Sequence, residues 1–219
     1  MFSKEFLTKD ILPLSLNDSG SVALLQMEDF KLKHLPVVNE GNYVCLISEK
    51  DIFQMRNPDH SIKDITLFAP YVGEESPVLD VLRIMNKNRL SLLPVVDFNG
   101  EYKGAITQSR LLEQLDVLCN KDFDGALIAL EVNPQEYSLS QIIHLVEQNN
   151  ANVLSMFSYI EEETSKQIVL LKIDLEDASP ILRSFERFNY TIKYHAQKQG
   201  LNDETMQNRL NELMYYLEM

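Results

Sequence analysis

Two stretches of the chain alternate apolar and polar positions in almost the same way. "LPVVNEGNYVCLIS" begins at Leu35, and "LPVVDFNGEYKGAIT" begins at Leu93. In each, short apolar runs flank a polar segment rich in turn residues. Asn39, Gly41 and Asn42 supply it in the first copy and Asn99-Gly100 in the second, which predicts two β-hairpins. Upstream of the second hairpin the apolar spacing becomes helical: Val78, Val81, Leu82 and Met85 share one face. Ser76-Pro77 is expected to open that helix, serine as cap and proline first. Residues 49–55 and 108–118 read as closing helices. Each copy therefore reads strand, helix, hairpin, helix (βαββα). Aligning Pro13 with Pro70 requires two single-residue length changes, one before the first helix and one in the hairpin. A unit of about 55 residues buries too little core to fold alone. The copies are expected to pack together with approximate two-fold symmetry and leave two equivalent clefts.

Beyond Leu118 the pattern changes. "NKDFDG" reads as a linker, and "ALIALEV" as a strand. Ser138 is expected to cap a helix with Leu139, Ile142, Ile143 and Val146 on one face. "NVLSMFSYIEE" and "KQIVLLKIDL" read as strands joined by the polar "EETSK", and Ser179-Pro180 opens a helix on which Ile181, Phe185 and Phe188 recur. "YTIKYHA" closes as a strand. The order βαββαβ predicts a ferredoxin-like two-layer sandwich. In the tail, Met206, Leu210, Leu213 and Leu217 form one apolar stripe, so a C-terminal amphipathic helix is expected, packed on its own domain or on a partner subunit. The fold class is α/β (α+β). Residues 1–57 form the first repeat, 58–120 the second, 121–198 the ferredoxin-like domain and 199–219 the tail helix.

Charge and composition narrow the function. The 219 residues carry a formal net charge of -13, which disfavours nucleic acid as a partner but leaves room for a local anion site. Both cysteines, Cys45 and Cys119, lie among apolar residues and are expected as buried free thiols. No signal-peptide pattern and no membrane-spanning run is legible, so a cytoplasmic protein is expected. The histidines, His34, His60, His144 and His195, form no metal-binding pair, and His144 reads as structural. No nucleophile elbow or phosphate loop is present. Glu161-Glu162-Glu163 reads as a solvated turn. No catalytic arrangement emerges, and the chain is expected to be non-catalytic, with no metal and no cofactor.

The paired "LPVV…CLISEKD" and "LPVV…GAITQSR" resemble the tandem CBS domain, the regulatory pair named after cystathionine β-synthase. Residues 124–196 resemble an ACT domain in topology and length. The first strand-to-helix turn there, "NPQEYS", lacks the glycine that amino-acid-binding members often carry. The combination resembles bacterial CBS/ACT regulatory proteins related to the acetoin-utilisation regulator.

The resemblance implies adenosine ligands held in the clefts, with the Asp of an [ST]-x-x-[D] motif on the ribose and the Ser/Thr on ribose or phosphate oxygens. Carried over by residue, the first cleft has Ser48 and Asp51, completed by Pro70, Tyr71, Ser91 and Leu92. The second has Thr107 and Arg110, completed by Leu12, Pro13, Lys33 and His34. Arg110 replaces the ribose carboxylate, and the cations suit phosphate. Helix capping explains Ser48 and Asp51 equally well, and a solvated face or surface ion pair explains Lys31, Lys33, His34 and Arg110. The expected ligand is AMP, ADP, ATP or S-adenosylmethionine. The expected assembly is a homo-oligomer, a dimer first, acting on an unidentified regulated protein. The alternative is an oligomeric scaffold with empty, degenerate clefts.

Overall fold

The repeat is present twice, and the computed structural model describes residues 1–65, 68–120 and 125–196. The chain divides into two compact units, Met1–Asp116 and Val117–Met219. The linker residues 121–124 and the tail stripe of Met206, Leu210, Leu213 and Leu217 lie outside the described residues.

In the first unit, the first copy runs β1 (Leu14–Ser15), α1 (Gly20–Phe30), β2 (His34–Asn39), β3 (Asn42–Ser48) and α2 (Glu49–Phe53). The second runs β4 (Val72–Gly73), α3 (Val78–Asn88), β5 (Leu92–Val96), β6 (Tyr102–Thr107) and α4 (Gln108–Leu118). Each copy builds a three-stranded sheet in the order β1-β2-β3 or β4-β5-β6, first pair parallel and second antiparallel. Leu14 pairs with Val37 and Val72 with Val95. The first strand and the LPVV strand are thus equally spaced in both copies, and no length change falls before the helix. Pro13 corresponds to Tyr71, not to Pro70.

Local chemistry explains the details. Glu40 and Gly41 both have positive φ, 50° and 86°, which gives the first hairpin its two-residue turn. The second hairpin is longer: Asp97 Oδ1 accepts from the Asn99 and Glu101 amides at 2.8 and 2.9 Å, and only Gly100 takes positive φ. The hairpin tips pair with each other, Tyr43 N–H to Gly100 O and Tyr102 N–H to Gly41 O. Pro77, not Ser76, is the cap residue of α3. Pro77 bridges the Phe2 backbone and Ser76 O accepts from Ser3, which holds this segment extended.

One apolar core serves both copies. Leu35, Val37 and Ile47 of the first copy cluster with Leu93, Val95 and Ile106 of the second, all nearly inaccessible. Each such burial contributes roughly 1.5–3 kcal/mol, so neither copy keeps its core without the other. The expected α3 face also holds: Val78, Val81 and Met85 are buried and Leu82 half-buried. Cys45 is buried, and burial pushes its thiol up to about 11. Cys119 is exposed, because it follows the end of α4.

The second unit runs β7 (Leu127–Val132), α5 (Leu139–Glu147), β8 (Val153–Ile160), β9 (Gln167–Ile173), α6 (Ser179–Arg187) and β10 (Thr191–Ala196). The strand order is β10-β7-β9-β8, antiparallel throughout, which is the ferredoxin-like arrangement. Ile142, Leu145 and Val146 of α5 join Ile181 and Phe185 of α6 in its core. Leu139 is exposed at the first turn of α5. Phe188 is exposed because it lies past the end of α6, where its ring meets the Arg187 guanidinium. Ser138 occupies the cap position of α5, but its hydroxyl meets Ser140 Oγ and accepts no backbone N–H. His144 is exposed and meets Gln148 one turn on. Glu161 of the acidic turn pairs with Lys193.

Candidate functional site

The two copies exchange the segments that precede their first strands. Thr8 exchanges both backbone hydrogen bonds with Ala105 of β6, at 2.8 and 3.0 Å, and Ser3 and Lys4 donate to Ser76 O and Glu74 O. In the reciprocal exchange the Phe68 carbonyl accepts from Leu46 of β3, and Ile62 N–H reaches Asp18 O. Gly104 makes the first crossing possible. Its φ is +148°, and a Cβ there would stand 2.6 Å from Thr8 O.

This crossing roofs an open cavity of about 480 Å³ at the second cleft, within the roughly 300–1,000 Å³ range of small-molecule sites. Thr107, Ser109 and Arg110 line it from the start of α4, and Thr8, Asp10 and Ile11 from the crossing segment. Phe30, Lys31 and Leu32 come from the end of α1, with Ser91 before β5. Lys31 holds a left-handed conformation, φ 54°, as the C-cap of α1. Thr107 and Arg110 both line this cavity, and the wall opposite is built by Asp10, Ile11, Lys31 and Leu32. Leu12, Pro13, Lys33 and His34 do not line this cavity, and Ser91 lines it although the sequence placed it in the first cleft.

The first cleft has different internal chemistry. Asp51 Oδ2 accepts from the Ser48 amide at 2.8 Å and from the Ser48 hydroxyl at 2.6 Å, while Ser48 Oγ accepts from Asp51 N–H at 3.2 Å. This is a reciprocal capping box that closes the five-residue helix α2. In the second copy Thr107 Oγ1 accepts from Arg110 N–H at 3.2 Å, but a guanidinium cannot return the bond, and Arg110 instead pairs with Glu113. Tyr43 OH donates to Pro70 O at 2.9 Å, so that carbonyl is engaged. Tyr71 packs edge-on against Tyr43, ring centres 6.2 Å apart, and leaves half its surface exposed. Leu92 is fully buried.

Side-chain bonds join the copies where β2 and β5 begin. Ser91 Oγ accepts from Lys33 N–H and lies 3.0 Å from His34 Nδ1, which also accepts from Ser91 N–H at 3.2 Å. Accepting at Nδ1 requires a neutral ring protonated at Nε2. Burial lowers the His34 pKa below its ordinary value, and the Asp51 and Glu49 carboxylates only partly oppose this. Asp10 and Thr8 were not legible as site residues, because they lie outside the repeated motif and enter the site only through the exchange.

Among known proteins, the family model for the CBS domain matches residues 4–56 and 62–117. An inosine-5'-monophosphate dehydrogenase of Korarchaeum cryptofilum is 22% identical over 189 residues, 81% of this chain. The match spans 40% of that dehydrogenase's length. Among solved structures, a CBS domain pair/ACT domain protein of Thermotoga maritima is 23% identical, with 52% of this chain and 96% of that chain covered at a TM-score of 0.48. CBSX2 of Arabidopsis thaliana in complex with AMP is 19% identical, with 54% and 98% covered at a TM-score of 0.47. Two family matches in tandem, falling on two βαββα units that share one core, identify the first unit of this chain as a pair of CBS domains.

Proposed function

We propose that the chain is a regulatory ligand sensor: its CBS pair binds an adenine nucleotide or related adenosyl ligand, and its second, ACT-like unit mediates assembly or transmits the signal. The observation that carries this reading is the cavity of about 480 Å³ at the second cleft, which combines two cations, a carboxylate, hydroxyls and an apolar wall. A nucleotide presents the matching set of phosphate, ribose and base. Binding acts by population shift, so the ligand must favour one arrangement of the two CBS copies. Leu79 on α3 and Leu112 on α4 are each more than 60% exposed, and they support homo-oligomeric association through these helices. The regulated partner is a protein in the cytoplasm. Titration calorimetry with AMP, ADP, ATP and S-adenosylmethionine tests the ligand, and saturable binding of at least one is expected. Light scattering tests assembly, with a mass above the 25.3 kDa of one chain expected.

A second reading, a scaffold with degenerate clefts, draws its support from the Asp51 capping box. In that case none of the four ligands binds, while the assembly persists.

A further inference from the structure

We propose that the second cleft is the nucleoside-phosphate site of the pair, with Asp10 as its ribose-binding carboxylate and Arg110 and Lys31 as its phosphate ligands. This rests on the nucleotide reading above and assigns its residues. The motif aspartate expected for the ribose is absent at position 110, and the crossing segment brings another carboxylate to the same cavity.

Acceptor capacity distinguishes the two aspartates. An ionised carboxylate offers about four acceptor sites on two oxygens. At Asp51 the oxygen Oδ2 already takes two donors from Ser48, which leaves only Oδ1 for a ligand. At Asp10 one donor, the Thr8 hydroxyl at 2.7 Å, occupies a single site on Oδ2. Both Asp10 oxygens therefore retain capacity, which two adjacent ribose hydroxyls require. Thr8 is buried and fixed by its pairing with Ala105, and its Oγ1 also accepts from Asp10 N–H at 3.2 Å. The carboxylate is thus positioned before any ligand arrives, which lowers the ordering cost of binding.

The rest of the cavity fits the same ligand. Arg110 gives one nitrogen to Glu113 and keeps most of its five N–H donors. Lys31 adds a second cation, and the positive end of the 11-residue helix α4 lies on the same side as Thr107 and Ser109. Ile11, Phe30 and Leu32 supply apolar surface for a base.

The test is titration calorimetry of the full chain with AMP, 2′-deoxy-AMP and adenosine, on wild type, Asp10→Asn, Arg110→Ala and Asp51→Asn. Asn at position 10 can still accept from the Thr8 hydroxyl, and circular dichroism verifies folding of each variant. Wild type should prefer AMP over both other probes. Asp10→Asn should weaken AMP by about ten-fold and erase its preference over 2′-deoxy-AMP. Arg110→Ala should erase its preference over adenosine. If Asp10→Asn keeps the preference for ribose, or if Asp51→Asn is the variant that loses it, the assignment is overturned while the nucleotide reading stands. If wild type binds none of the three probes, and none of ADP, ATP and S-adenosylmethionine, both fall.

Discussion

The two CBS copies are built from the same strands, helices and shared core, yet the helices that close them start with different side-chain chemistry. At the start of α2, Asp51 turns back on Ser48 and closes a capping box. At the start of α4, Arg110 occupies the matching position, and its side chain meets Glu113 and the second cavity. Repetition fixes a backbone, and a single residue then decides whether the side chain at a helix start turns back on its own cap, as Asp51 does, or pairs further along the helix, as Arg110 does. A motif match alone does not distinguish these outcomes, because the same Ser-x-x-Asp spacing that suits a ribose also suits a five-residue helix needing a cap.

The sharpest way to break the comparison is at the crossing. Gly104→Ala places a methyl against Thr8 O and should cost roughly 2–4 kcal/mol, because backbone must move. Cys45 occupies the equivalent position in the first copy, where a buried side chain already fits. Cys45→Ala should therefore cost less than Gly104→Ala. Urea unfolding measures both, and equal losses would mean that the crossing contributes nothing special.

The helix starts should separate next. Asp51→Ala removes one half of the capping box and should lower stability by about 1–2 kcal/mol. Arg110→Ala removes only an exposed ion pair and should change stability by about 0.5 kcal/mol or less. Denaturant midpoints for the two variants check this ordering.

The tyrosines at the hairpins offer a finer test. Tyr43 OH donates to Pro70 O, whereas Tyr102 OH is buried with no partner among the described residues. Burial raises both phenol pKa values above the ordinary range. Tyr43→Phe should cost about 1 kcal/mol, and Tyr102→Phe should be neutral or stabilising. Thermal melts of the two variants give the comparison directly.

The smallest effect is expected at the joint between the copies. The folded state lowers the His34 pKa, so the unfolded state takes up a proton first as pH falls. The stability His34 contributes is complete above its ordinary pKa, near 6.5, and declines as pH drops below that value. His34→Gln should flatten this part of the stability profile between pH 7.5 and 5. An unchanged slope would assign the acid sensitivity elsewhere.

Much of this architecture was legible in the residues themselves. The doubled LPVV hairpins, the α3 face of Val78, Val81 and Met85, and the βαββαβ order of the second unit all follow from short-range rules. Periodicity and turn chemistry act over a few residues, so they can be read along the chain. The misread details had other causes: Ser76 lost its capping role when the distant Phe2 formed a bridge with Pro77, and Cys119 became exposed where α4 ended.

What the sequence by itself determined was the existence of two like units, their need for each other, and the contrast between Asp51 and Arg110. Only the tertiary structure decided which groups share a cavity. Asp10 and Thr8 reach α4 because their segment leaves its own copy and pairs with β6, a contact across about half the chain that no local pattern encodes. The same long-range packing decided that His34 meets Ser91. Hydrogen bonds of this kind are chosen by which partners folding brings within 3 Å, and that choice belongs to the assembled pair, not to either repeat alone.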